Sequence, residues 1–236
     1  MLIKCLAVGE LGTNCYIVAC ERTREAIVVD PGAQPERIMA EVERLGVRCL
    51  YIVNTHGHAD HIGANGALKR ATGARIAIHE KDAPALLSPD VNLARFMWPG
   101  APGFSGPPAD ILLREGDIVQ FGDEQLRVIY TPGHTPGGIC LISAPDAGPG
   151  RSASPSPEPG PGGVAGIVVF TGDTLFRAGM GRTDFPGGDE EALIQSIEER
   201  LFKLPEEARV YPGHGPETTI GAEIRFWGIS RSHIGL

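Results

Sequence analysis

The 236-residue sequence has no apolar run longer than a β-strand, no cluster of lysine or arginine and no CxxC pair, and each absence removes a class of function. A helix that crosses a bilayer needs about 20 consecutive apolar residues, and no segment supplies them. The opening MLIKCLAVGE has neither the long apolar segment nor the small-residue cleavage site of a secretory signal, so a cytoplasmic protein without membrane attachment is expected. With a formal net charge of −8 and no basic run, a nucleic-acid or anionic-lipid surface is not expected either. A small-molecule substrate is the expected partner. The five cysteines, Cys5, Cys15, Cys20, Cys49 and Cys140, are odd in number and stand in apolar surroundings without metal-knuckle spacing, which predicts buried, reduced thiols.

What is present is a series of short β-branched runs bounded by Gly, Pro or Asp. They lie at Ile3 to Val8, Cys15 to Ala19, Ala26 to Val29, Cys49 to Val53, Ile76 to Ile78, Leu126 to Tyr130, Ile139 to Ile142, Ile167 to Phe170 and Ala208 to Tyr211. Helical spacing appears at Pro35 to Leu45, Ala64 to Ala71 and Asp189 to Leu201, the last with Asp189 as cap and two glutamates in its first turn. The expected class is mixed α/β with sheets at the centre, in one domain spanning 1–236. Pro145 to Gly166 is dominated by Pro, Gly, Ser and Ala, and is expected to be a flexible loop inserted in a hairpin. Ser88 to Asp110 carries Phe96, Met97, Trp98 and Phe104 among prolines and glycines, and suits a pocket wall or lid as well as a surface flap.

Chemistry concentrates in NTHGHADH, residues 54–61, where His56, His58, Asp60 and His61 fall within six positions straight after an apolar run. Side chains leaving a strand end and entering a helix fan around one point, as a metal cradle requires. Three further strand ends present one imidazole or carboxylate each: VIYTPGHTPG gives His134, VVFTGDTLF gives Asp173 and RVYPGHGPE gives His214. Glycine and proline flank each because the backbone must turn sharply while short side chains reach a common centre. Five of the seven histidines lie in such loops, whereas His79 and His233 are expected to be structural or exposed.

On these residues the chain resembles the metallo-β-lactamase superfamily, whose HxHxDH signature stands at His56, His58, Asp60 and His61, with the later His, Asp and His in the family's order. The resemblance implies an αββα sandwich of two mixed β-sheets with the site at one sheet edge. It also implies two divalent ions, one held by His56, His58 and His134, the other by Asp60, His61 and His214, with Asp173 bridging. Nitrogen and carboxylate ligands without thiolate suit zinc first, and iron or manganese as well. Two divalent ions outweigh the charges of Asp60 and Asp173, so the centre stays net positive, lowers the pKa of bound water toward about 7 and stabilises an oxyanion. Metal-assisted hydrolysis is the expected reaction class, with Asp60, Asp173 and a bridging hydroxide at its heart. Asp30, in IVVDPG, is read either as the acceptor for a ligand histidine's second N–H or as a turn former. Thr55 and Thr131 either fix loop backbone or have no special role.

Within the superfamily, GTNCYIVA, IVVDPG and GDTLFRAGMGRTDFPGGDEE are similar to the glyoxalase II branch. That likeness implies hydrolysis of S-D-lactoylglutathione-type thioesters, with Arg182 directed toward the thiol moiety unless it is simply a surface ion-pair partner. Only 22 residues follow His214, as in the short bacterial type, and the tail AEIRFWGISRSHIGL lacks the basic ending expected there. Arg225 and Arg231 are read as solvated tail residues before anion contacts. A neighbouring branch, the mononuclear-iron glutathione persulfide dioxygenases, shares the GRTDF stretch and is the alternative, followed by a lactonase or β-lactam hydrolase.

Overall fold

Strand β2 (Thr13–Ala19) is buried along its whole length, and its side chains divide between two cores with strict alternation. Cys15, Ile17 and Ala19 enter one apolar cluster while Tyr16 and Val18 enter another. A strand whose two faces are both covered reads as a continuous apolar run, and that is why these strands stand out in the sequence. The computed structural model describes residues 1–99, 104–143 and 166–228.

The first sheet contains β1 (Leu2–Val8), β2, β3 (Glu25–Val29), β4 (Arg48–Val53), β5 (Arg75–His79) and β6 (Ile111–Leu113) in that spatial order. β1, β2 and β3 pair antiparallel, whereas β3, β4, β5 and β6 pair in parallel. Parallel neighbours need crossovers. Helix α1 (Pro35–Leu45) makes the first, and α2 (Ala59–Ile62) with α3 (Asn65–Thr72) the second. A third crossover includes α4 (Ala94–Met97).

The second sheet is formed by β7 (Ile118–Phe121), β8 (Glu124–Tyr130), β9 (Ile139–Ser143), β10 (Val168–Gly172), β13 (Arg209–Pro212) and β14 (Thr218–Thr219), ordered β14-β13-β10-β9-β8-β7. Only β10 and β13 are parallel there. Between them run the ribbon β11 (Leu175–Phe176) and β12 (Gly179–Met180) and helix α5 (Glu190–Ser196), and α6 (Ile220–Phe226) follows β14. Three apolar layers result. Ile38, Val42 and Leu68 pack on Val28, Ile52 and Ile76 of the first sheet. Val18, Ile27 and Val53 meet Phe121, Leu126, Leu141 and Phe170 between the sheets. Leu193, Ile197 and Ile224 cover Ile129, Val169 and Val210 on the far side. The architecture is the four-layer αββα sandwich.

Some local expectations need correction. The predicted helix Asp189 to Leu201 is α-helical only to Ser196; its N-terminus is capped by Asp189, which accepts from Ala192 N–H at 3.0 Å, and Ile197–Leu201 continues as a wider π-helical turn. Cys5 is exposed because β1 is an edge strand, although it stands on the same face as its register partner Tyr16, while the other four cysteines are buried and unpaired. Within Ser88 to Asp110, Phe104 packs against the first core and Phe96 stays exposed. β9 and β10 pair antiparallel, and the Pro145 to Gly166 stretch that joins them lies, apart from Gly166, outside the described residues. No helix among the described residues is long and apolar enough to cross a membrane.

Candidate metal centre

Four strands from the two sheets end at one edge of the sandwich. His56 and His58 follow β4, with Asp60 and His61 in the adjoining α2; His134 follows β8, Asp173 follows β10 and His214 follows β13. Three overlapping groups of potential ligands form there, His56–His58–His134, His56–His61–Asp173 and Asp60–His61–His214, each with its ligand atoms within 4.8 Å of one another. His58 Nδ1 stands 2.9 Å from His134 Nε2, and His61 Nε2 lies 3.4 Å from both His214 Nε2 and Asp173 Oδ1. Asp173 Oδ2 is 3.6 Å from His134 Nε2 and 3.7 Å from His214 Nε2, so this carboxylate reaches both ends of the cluster.

Outer partners set the direction of the rings. His61 donates Nδ1–H to Asp30 Oδ2 at 3.0 Å, His134 donates Nδ1–H to the Arg182 carbonyl at 2.7 Å, and His214 donates to the Leu11 carbonyl at 3.2 Å. Thr55 gives its hydroxyl proton to Asp30 Oδ2 at 2.6 Å, which leaves Thr55 Oγ1 to accept from His56 Nδ1 at 3.2 Å. Each of these four imidazoles therefore turns its Nε2 inward. His56 Nε2 and Asp173 Oδ1 are buried without any hydrogen-bond partner. Buried acceptors are ordinarily satisfied, and a cation at the point where these lone pairs converge satisfies both. The residues present thus fit a metal centre, built from nitrogen and carboxylate with no thiolate.

Protonation tells the same story. Burial, and then the neighbouring imidazoles, hold His56 well below the ordinary histidine range, and burial followed by His134 lowers His58. Burial also opposes a charge on His61, but Asp60, Asp173 and Asp30 outweigh it and push its pKa up to about 10. Burial works against the Asp60 carboxylate, yet His61, His214 and Thr13 together hold it below the usual carboxylate range. Without metal, a proton occupies the place of a cation's charge.

Asp30 is 1 % exposed and also accepts from Thr55 N–H at 2.7 Å, so it holds both the HxHxDH loop and the His61 ring. Thr131 Oγ1 lies 3.1 Å from Thr174 Oγ1, steadying the β8 end against the turn after Asp173. The Arg182 side chain is exposed, paired with Asp184 at 2.7 Å and laid over the Phe185 ring at 3.9 Å; its carbonyl, not its guanidinium, touches the centre. Arg225 pairs with Glu206 at 3.4 Å, and His79 is buried and stacked on Tyr130. Arg231 and His233 lie outside the described residues. Several contributors had no signal of their own in the sequence. Thr13 donates to Asp60 Oδ2 at 2.9 Å, Asn14 Nδ2 donates to the Pro212 and Gly215 carbonyls on either side of His214, and Asp82 bridges two ligand loops. Thr13 and Asn14 open β2 and Asp82 lies in the turn after β5, and single polar residues there carry no periodicity that would mark them out. Aromatic rings flank the cluster: Phe185 packs edge-on to His58 at 5.8 Å, Phe96 meets Phe185 at 5.4 Å, and Phe176 lies 6.2 Å from His214. A separate cavity of about 630 Å³, between α3 and Phe104–Pro107, contains none of the converging ligands.

Residues 8–146 and 161–214 match the family model described as the metallo-beta-lactamase superfamily. The chain is 34% identical over 226 residues to hydroxyacylglutathione hydrolase GloC of Haemophilus influenzae, covering 95% of this chain and 96% of that one. It is 32% identical over 207 residues to the mitochondrial persulfide dioxygenase ETHE1 of Bos taurus, covering 86% of this chain and 63% of that longer protein. Among solved structures, the BLEG-1 B3 metallo-beta-lactamase superposes with a TM-score of 0.81 at 32% identity, over 95% of this chain and 97% of that one. TTHA1623 in a di-iron-bound form superposes with a TM-score of 0.71 at 34% identity, over 94% and 98%.

Proposed function

The chain belongs to the metallo-β-lactamase superfamily, and from that premise we propose that it is a metal-dependent hydrolase of thioesters of the S-D-lactoylglutathione type. The carrying observation is the convergence of seven His and Asp side chains with His56 Nε2 and Asp173 Oδ1 left buried and unpaired. In this reading His56, His58 and His134 would hold one divalent ion and Asp60, His61 and His214 a second, with Asp173 within reach of either. Zinc is the first expectation; iron also suits this donor set, as the di-iron form of TTHA1623 illustrates. Divalent ions bound here would lower the pKa of water toward about 7 and favour negative charge on an attacked carbonyl oxygen.

The protein's own residues supply position and charge. Thr13 holds Asp60 Oδ2 and Asp30 holds the His61 ring, so both ligands are fixed before substrate arrives. Asp60 and Asp173 bring two carboxylates to the centre, fewer charges than two divalent ions would carry, so the field there would favour an oxyanion. Phe185 beside His58 with Phe96 behind it, and Phe176 beside His214, offer apolar walls to the carbon chain of a thioester. Arg182, stacked on Phe185 at the same rim, is the cation we assign to a carboxylate of the thiol moiety, for which it would exchange Asp184. A thioester suits such a site because its carbonyl is more electrophilic than an amide's and its thiolate leaves with little acid assistance. Likeness to GloC along nearly the full length of both chains supports this substrate class.

Likeness to the bovine persulfide dioxygenase favours one second reading, oxidation of a persulfide at a single iron held by His56, His134 and Asp173. Anaerobic assay of S-D-lactoylglutathione separates the two. Hydrolysis without oxygen, abolished by chelation and by His58→Ala, is the expected result; oxygen uptake with a persulfide and no anaerobic turnover would replace it with the second reading.

A further inference from the structure

Asp82 is a buried carboxylate, 4 % exposed, just beyond the end of β5. Its Oδ2 accepts from Gly57 N–H at 2.9 Å and from the Thr135 hydroxyl at 2.7 Å, and its Oδ1 accepts from Gly137 N–H at 2.6 Å. Gly57 separates His56 from His58, and Thr135 follows His134. The two loops leave different sheets, one after β4 and the other after β8, and Asp82 bonds directly to both. Their approach requires bare backbone. A Cβ on Gly57 would stand 2.5 Å from Ala85 Cβ, and one on Gly137 would stand 2.5 Å from Asp82 Oδ1. The other half of the centre is held elsewhere, by Asp30 on His61 and by Thr13 on Asp60.

We infer that Asp82 is a positioning residue for the His56–His58–His134 half of the centre, clamping the two loops so that these three imidazoles face one ion. The inference rests on the assignment of those histidines as one ion's ligands. Asp82 is hydrogen-bonded to loop backbone and a hydroxyl, and it acts through them. Burying a carboxylate is unfavourable, and burial indeed pushes its pKa up against the pull of its three donors. As a carboxylate it offers one acceptor oxygen to each glycine N–H, Oδ2 to Gly57 and Oδ1 to Gly137, with the Thr135 hydroxyl sharing Oδ2. Asparagine has one acceptor oxygen, so whichever way its amide turns, either Gly57 N–H or Gly137 N–H faces an NH2 group.

The test is zinc binding by Asp82→Asn, read as ions retained per chain in competition with a chelator and as the visible spectrum after cobalt(II) substitution, with far-UV circular dichroism as the fold control. Positioning partners of this kind typically contribute about 10- to 100-fold to metal affinity. The expected result is a loss of that size for one ion, the other holding within about threefold of wild type, in a chain that keeps its circular dichroism. Equal weakening of both ions, or of neither, would overturn the inference, since a merely structural role has no reason to discriminate between halves. Should Asp82→Asn fail to fold, Thr135→Val carries the test: it removes one donor, leaves both amide tethers, and is expected to weaken the same ion alone by about 10-fold, the lower end of that range. No selective loss there overturns the inference equally. Zinc binding that His58→Ala leaves unchanged would instead sink the ligand assignment itself.

Discussion

Gly213→Ala would place a methyl group where the candidate centre has no room. The glycine lies between β13 and His214, its φ is outside the left-handed region, and alanine is therefore admissible on backbone grounds. Space decides the outcome. An ideal Cβ would stand 2.2 Å from Asp173 Oδ1, 2.8 Å from His61 Cε1 and 3.0 Å from the Gly172 carbonyl carbon. The Asp173 oxygen must retreat by roughly 1 Å to regain ordinary contact, and the backbone has little freedom to help. Gly213 N–H donates to the Gly172 carbonyl at 2.7 Å, and its own carbonyl accepts from Asn14 N–H at 2.7 Å. Overpacking of this kind costs about 1–3 kcal/mol of stability, and a misplacement of about 1 Å at a reacting centre costs on the order of 10²-fold in rate. The assay is anaerobic thioester hydrolysis with metal analysis and thermal unfolding on the same preparation. Gly215→Ala is the control: its φ of 74° makes alanine strained, by about 1–2 kcal/mol, but a Cβ there meets nothing within 4 Å, so metal content should be unchanged. A Gly213→Ala protein with wild-type metal content and turnover would refute the reasoning, and so would equal loss of metal in both variants.

Asp30→Asn, unlike Asp82→Asn, should reach the Asp60–His61–His214 half directly. Thr55 N–H and His61 Nδ1–H bind different oxygens of Asp30, and asparagine can serve only one of them, so the Asp60–His61–His214 ion should weaken by about 10- to 100-fold in zinc competition. Phe185→Ala removes the ring that leans on His58 and supports Arg182; a rise in KM of about 2- to 10-fold with kcat nearly unchanged is expected, the size of one aromatic contact. The metal-free protein should be most stable near neutral pH. His56 and His58 have folded pKa values below the ordinary histidine value of about 6.5, so their contribution is present above it and lost on acidification. His61 is raised to about 10 and His214 is raised as well; their contribution is full below the unfolded value and is lost as pH rises through the folded values. A Tm profile of metal-free protein that climbs steadily from pH 5 to 10, over which His61 should be losing its contribution, would contradict this sign.

The sequence made the strands legible wherever both of their faces are buried, as in β2, β4 and β10, because a continuous apolar run between turn residues admits few other readings. β14 and the ribbon β11–β12 are two residues per strand, too short for any period to show. The π-helical turn at Ile197–Leu201 keeps apolar residues at helical spacing, so its extra width leaves no trace in the pattern. The seven ligand candidates were legible for a local reason: each stands at a strand end among glycines and prolines, and four of them fall within six residues. Their supporting residues depend on distance along the chain. Asp82 meets loops 25 and 55 residues away, and Thr13 meets Asp60 across 47 residues. Such contacts exist only once the fold has brought strand ends to one edge, within the first sheet for Thr13–Asp60 and Asp82–Gly57 and across both for Asp82–Gly137. At Arg182 the structure adds a contact that no pattern carries, its backbone carbonyl against His134 Nδ1.

The central claim, a hydrolytic centre of two divalent ions, is tested most directly by elemental analysis of the purified protein combined with anaerobic S-D-lactoylglutathione hydrolysis on the same sample. About two divalent ions per chain with rapid turnover that chelation abolishes is the predicted result. About one iron per chain and no turnover without oxygen would contradict it.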